Sequence, residues 1–283
     1  METINWNDKD EVLKLVQQDG TALEYASKEL RNDRNIVTAA VREDGWALEY
    51  ASKELRNDRN IVTTAIQQSG WALEFASERL RNEKEIVLQA VQEFGAALQF
   101  ASEELRNDRN IVMAAVRQDG LALEYASKEL CNDKNIVLFA VYGAGTALEY
   151  ASKELCNDRN IVTAAVRQDG LALEYASKEL RNDRNIVTAA VQKEAMALQF
   201  ASKELQDSKD IALTALQKNL YAFKYVSPRL QQDQEVRKAA VLGPDIKQEP
   251  EKPDIDTVLG DARKWCQEHN NIPTTQPQHN IER

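Results

Sequence analysis

The sequence predicts an all-α protein, an α-solenoid superhelix of about nine 25-residue repeats, each an antiparallel helix pair, with a C-terminal tail helix. Three observations predict it. Gly20, Gly45, Gly70, Gly95, Gly120, Gly145 and Gly170 recur every 25 residues, and Ala195 and Leu220 continue the frame. With the glycine as position 1, apolar residues fall at positions 3, 4, 7 and 11, and again at 17, 18, 21 and 22. Each set has the i, i+3, i+4, i+7 spacing of an amphipathic helix, not the alternation of a strand.

Each element has its own signals. Residues 8–19 match a lone second half-unit, and Trp6 is placed to cover the edge of the first helix behind it. Units 1 to 9 then start at residues 20, 45, 70, 95, 120, 145, 170, 195 and 220. In each, the first helix of about ten residues carries Glu at position 5 and Lys at position 9, as in Glu24 with Lys28 and Glu49 with Lys53, an i, i+4 pair. Asn at position 13 (Asn32, Asn57, Asn107, Asn182) is suited to a left-handed helix stop. Asp at position 14 (Asp33, Asp58, Asp108, Asp183) is suited to N-cap the second helix, and the next glycine to end it. Helices this short are marginal alone, so they must pack on their partner and on the next unit, as in tetratricopeptide and HEAT arrays. Ser227-Pro228 is expected to break the last first helix, and Gly243-Pro244 to stop the array. The domain division is therefore 1–243 solenoid, 244–254 Pro/charged linker, and 255–283 amphipathic helix and disordered tail. In that tail Ile255, Val258, Leu259, Ala262, Trp265 and Cys266 share one stripe.

Composition narrows the function. Three cysteines are too few for a disulfide-stapled fold, and no apolar run is long enough to span a bilayer. Residues 1–8 lack the basic and apolar blocks of a signal peptide. A net charge of −10 repels phosphate backbones, so nucleic acid and anionic membranes are disfavoured as partners. Both histidines, His269 and His279, fall outside the repeats, and Cys266 with His269 is two ligands short of a zinc site. Cys131 and Cys156 replace arginine at position 12 and are expected as surface thiols without a base. No cofactor, metal or small-molecule substrate is expected, and no catalytic residue is assigned.

Positions that vary between otherwise alike units are freed from the common packing. Position 2 is the clearest: Thr21, Trp46, Trp71, Ala96, Leu121, Thr146, Leu171, Met196 and Tyr221. On a 100° wheel it lies opposite the core stripe and lines up with positions 5, 6 and 9. Trp46, Trp71, Leu121, Leu171, Met196 and Tyr221 therefore form a candidate partner stripe, unless position 2 precedes the helix and tucks under its neighbour. Phe139 and Tyr142, at positions 20 and 23 of unit 5, are a second candidate patch. The invariant aromatic at position 6 and Ser at position 8 are assigned to structure, the serine bonding a carbonyl one turn back. The basic residues at positions 12 and 15, from Arg31 and Arg34 onward, are expected to share a mixed, self-neutralised face with acids at positions 5, 10 and 14.

The motif A-L-E-Y-A-S-K-E-L-R-N-D-R-N-I-V, at residues 47–62 and 172–187, resembles the tandem repeat called domain of unknown function 4116, over about residues 8 to 243. That resemblance implies binding or scaffolding without a catalytic motif. It also implies kinship with proteins of protists, algae and intracellular bacterial pathogens, some of them similar to translocated effectors. The expected function is a non-enzymatic protein-protein interaction scaffold or inhibitor, with a bacterial effector acting in a eukaryotic host as its more specific form. The alternative is a modular single-stranded RNA reader. The expected location is cytoplasmic, with translocation into a host cell as the effector variant, to which the polar C-terminus with Ile281 is similar.

Overall fold

The computed structural model describes residues 4–242, and the expected linker and tail helix lie outside them. The all-helical repeat solenoid is present. A half-unit helix, Lys9–Val16, is followed by nine units. Each ends in a second helix of the predicted kind, Arg34–Glu43 in unit 1 through Gln234–Leu242 in unit 9.

The first helix of each pair differs from expectation. It is two pieces: a six-residue 3₁₀ helix at positions 1–6, such as Gly45–Tyr50, and a single turn around positions 11–13, such as Leu55–Asn57. Between them position 7 is extended, with φ −63° and ψ 150° at Ala26. The break is built by the serine. Its Oγ accepts from the N–H of position 11, as Ser52 does from Leu55 at 3.2 Å, so it caps a new turn instead of bonding back into the old one. The interruption at Ser227-Pro228 is thus the rule in every unit, and Pro228 fits just inside a helix start. No salt bridge joins Glu24 to Lys28 or Glu49 to Lys53, because position 9 follows the break.

A 3₁₀ helix eclipses residues three apart. Positions 1 and 4 (Gly45, Leu48) therefore make one buried line, and positions 3 and 6 (Ala47, Tyr50) a second that packs on the core. Positions 2 and 5 (Trp46, Glu49) make the exposed line. The 3₁₀ segments stack on one another in one layer and the second helices in another. Between the layers lies one continuous core of Ile36, Val37, Ala40, Val41, Leu48 and their equivalents.

Position 1 is glycine because two backbones meet there, not because a helix ends in the left-handed region. A Cβ on Gly45 would lie 2.4 Å from the Ala65 carbonyl oxygen. Asn at position 13 is also not left-handed: Asn82 has φ −104° and ψ 6°. Its side chain instead joins units. The serine hydroxyl of the next unit donates to its Oδ1 at 2.5–2.6 Å, from Ser52→Asn32 to Ser202→Asn182. The same serine's N–H donates to the position-12 carbonyl of the preceding unit, as Ser52 does to Arg31 at 2.9 Å. The half-unit supplies this last bond through Trp6, whose carbonyl takes the Ser27 N–H while its ring packs on Tyr25 at 5.3 Å.

Asp at position 14 caps the second helix as predicted, and it does more. Oδ1 of Asp158 accepts from the N–H groups of Asn160 (2.9 Å) and Ile161 (3.1 Å), while Oδ2 takes the Lys134 ammonium of the preceding unit at 2.6 Å. The same rung runs from Lys9–Asp33 to Lys209–Asp233, using Glu83 and Glu85 or Asp210 where the sequence departs. Each surface rung is worth at most about 1 kcal/mol. Each buried Ile, Val or Leu contributes roughly 1.5–3 kcal/mol. The core therefore holds the stack together and the rungs set its register.

The rungs predict an acid response. Partial burial works to raise the carboxyls of Asp33, Asp108, Asp158 and Asp183, but bonds from the basic side chain and the capped N–H groups outweigh it and hold them below the usual range. Their contribution is complete above the unfolded value of about 3.9 and is lost as pH falls through the lower folded values. The melting temperature followed by circular dichroism should be level near neutrality and fall steeply below about pH 4. Asp158→Asn should flatten that fall. A melting temperature unchanged down to about pH 2.5 would contradict the rungs.

Candidate interaction surface

The position-2 row lies on the exposed line of the 3₁₀ layer. Each residue is at the second place of its segment, and where position 25 is Asp or Asn its N–H donates to that side chain: Trp46 to Asp44 at 2.8 Å, Leu121 to Asp119 at 2.9 Å, Leu171 to Asp169 at 2.9 Å, Tyr221 to Asn219 at 2.9 Å. Trp71 and Met196 lack this bond. Trp46 is 43% exposed, Leu121 and Tyr221 are exposed, and Trp71, Leu171 and Met196 are half-buried. The row is not uniform, because Ala96 and Thr146 interrupt it with short side chains.

Among the described residues, units 2–4 alone gather more than two rings into one patch. Trp46 stacks on Trp71 with centroids 6.3 Å apart and planes 28° from parallel. Trp71 stacks in turn on Phe94 at 4.9 Å. Position-6 rings of the following units brace both, Phe75 beside Trp46 at 5.6 Å and Phe100 beside Trp71 at 5.4 Å. Trp71, held by three rings, is a packing residue as well as a candidate contact. Trp46 ends the stack. Phe94 was not singled out by the sequence reading. Its signal is a departure at position 25, where an Asp would accept from the position-2 N–H; with Phe94 there that cap bond is absent.

Carboxylates face the aromatic row. Burial and then the Glu149 charge push the Tyr175 phenol up to about 12. Burial, then Glu24 and Glu49, raise Tyr50, and burial, then Glu124, raises Tyr150. Among the described residues, neither basic position of the repeat, 12 or 15, offers an open track beside them. Position 15 is committed to the rungs, and position 12 turns inward. Gln206 Nε2 there donates to the carbonyls of Leu198 (3.1 Å) and Gln199 (3.0 Å), and the Nε atoms of Arg56, Arg81 and Arg106 are enclosed. Cys131 and Cys156 are accordingly not surface thiols. They are half-buried, with Sγ 3.5 and 3.4 Å from the carbonyls of Leu123 and Leu148, and burial pushes both thiols up. That is the reverse of an activated nucleophile.

Phe139 and Tyr142 lie on the other layer, on the helix Lys134–Gly143. Both are exposed, Tyr142 by 63%, and the Arg117 guanidinium of the preceding unit covers Phe139 at 5.2 Å. They form a patch separate from the tryptophan stack.

The joints fit the comparisons with known proteins. Residues 8–56, 33–81, 58–106, 83–131, 108–156, 133–181, 158–206 and 183–231 each match the family model described as domain of unknown function (DUF4116). The chain belongs to the DUF4116 family. Each DUF4116 match opens on the position-14 acid and closes at position 12 two units on, so it brackets one rung and one serine joint, to asparagine in the first seven and to Asp207 in the last. No curated protein and no solved structure matches the chain. Among the described residues, no helix of this DUF4116 array is long and apolar enough to cross a membrane.

Proposed function

We propose that this DUF4116 array is a non-enzymatic protein-binding scaffold or inhibitor whose partner seats on the aromatic patch of units 2–4, with Leu121, Leu171, Met196 and Tyr221 extending the contact. The observation that carries the proposal is the Trp46–Trp71–Phe94 stack, preformed and open at Trp46. A rigid surface loses little ordering entropy on binding, and tryptophan is enriched at interface hot spots. A single-stranded RNA reader has less support. Stacking rings are present, but the bases at position 15 are paired and carboxylates flank the rings.

Affinity capture with quantitative mass spectrometry tests this, using own-cell and eukaryotic lysates with wild type and Trp46→Leu. Trp46 is the clean probe, since truncating Trp71 also removes three ring contacts. The expected result is a protein enriched by wild type and lost with the variant, at unchanged circular dichroism. Enrichment from the eukaryotic lysate alone would support action in a host cell. A variant that retains every captured protein would remove the patch from the function.

A further inference from the structure

We propose that the Trp46 end of the aromatic stack seats an arginine side chain carried by an extended, basic segment of a partner protein. The inference rests on the protein-binding function above and names the chemistry of the partner.

The ring neighbours of Trp46 all lie on one side, Trp71 and Phe75 of unit 3. On the other side the equivalent position is Thr21, which is itself exposed and too short to cover an indole. An indole face is therefore presented at the end of the row. The charge around it is negative. The three-residue turn sets Glu49 over Trp46 and Glu74 over Trp71 on the same exposed line, and neither carboxylate forms a salt bridge. The rung bases of units 2 and 3 are engaged, Arg59 with Glu83 and Glu85, and Lys84 with Asp108, while Lys53 follows the break in its first helix and forms no salt bridge with Glu49. Position 9, a lysine in most units, is Glu78 and Glu103 in units 3 and 4.

An open indole face edged by free carboxylates selects a flat cation. Guanidinium is planar, weakly hydrated, stacks on tryptophan and pairs with carboxylate in its own plane. A nucleobase also stacks, but its phosphate would meet Glu49 and Glu74. The repeat adds a spacing. The Trp46 and Trp71 centroids are 6.3 Å apart, close to the roughly 6.5–7 Å between alternate side chains of an extended chain. A segment lying along the array thus sets one arginine on Trp46 beside Glu49 and a second, two residues on, within reach of Glu74.

The test uses the full chain and a capped pentapeptide, Ser-Arg-Ser-Arg-Ser, against its citrulline counterpart, which keeps shape and loses charge. Calorimetry should show the arginine peptide bound about tenfold more tightly than the citrulline one. Trp46→Leu and Glu49→Gln should each weaken it about fivefold. Glu174→Gln, at the same position beside Leu171 in unit 7, should leave it unchanged. Equal affinity for the citrulline peptide overturns the proposal. So does an equal loss from Glu174→Gln, which would mean diffuse acidic attraction. Tight binding of an oligouridine 12-mer, lost in Trp46→Leu and strengthened in Glu49→Gln, would overturn it in favour of nucleic acid. A lysate partner lost with Trp46→Leu while the arginine peptide fails to bind would sink the arginine chemistry and keep the binding surface. Failure of both experiments would sink both.

Discussion

Truncation of Leu123 to alanine should cost about 2–5 kcal/mol, the cavity penalty of a fully enclosed leucine. Leu123 is inaccessible to solvent, and its 3₁₀ segment packs on both flanking helices, Arg109–Gln118 and Lys134–Gly143. Because a repeat array is coupled mainly through nearest neighbours, damage in unit 5 also weakens the link between the two halves. A urea titration should show a lower midpoint and a shallower main transition as the halves begin to unfold separately. Leu123→Met, which conserves volume, should cost under about 1.5 kcal/mol. Equal, small losses from both variants would mean that position 4 is not the core contact described above.

The second large effect is expected at Gly120. An alanine Cβ there would lie 2.3 Å from the Ala140 carbonyl oxygen and 3.0 Å from the Ala144 nitrogen, both backbone atoms that yield only by moving a helix. Overpacking of this kind typically costs about 1–3 kcal/mol. The loss of glycine freedom in the unfolded chain returns about 0.4–1 kcal/mol, too little to reverse the sign. Unit 8 supplies the contrast, since Ala195 already occupies the equivalent place and is buried. Its substitution, Ala195→Gly, should cost only about 0.4–1 kcal/mol, the glycine freedom alone. Thermal melts of the two variants side by side decide it. Similar shifts would show that the glycine frame does not reflect close approach.

The second helices were fully legible. Ile36, Val37, Ala40 and Val41 repeat at helical spacing, and Asp33 stands where an N-cap must be. The first helices were half legible. Positions 3, 4, 7 and 11 satisfy an α spacing, but they serve a 3₁₀ segment plus a capped turn equally well. Ser at position 8 followed by Leu at position 11 was the overlooked sign of a restart. The same error affected the surface. A 100° wheel put position 2 in line with 5, 6 and 9, whereas the 3₁₀ repeat of 120° aligns it with 5 and gives position 6 to the core side. Trp46 was found because its position varies. Phe94 is not legible in this way because it replaces a capping residue at the end of the unit.

Asn57 with Arg79, and Asp207 with Arg229, replace the usual Asn–Glu contact across a joint, the arginine reaching the side chain and carbonyl of position 13. Both partners of such a joint lie in adjacent units. Duplication or loss of a 25-residue block between ordinary units therefore regenerates an intact junction, and the array can change length without redesign. The Asp207–Arg229 junction is different: both halves depart from the common residues, so a block boundary cut there separates an acid from its mate. It fixes the order of units 8 and 9 in an otherwise interchangeable string, whereas Arg79 of unit 3 meets an asparagine that any ordinary unit would offer.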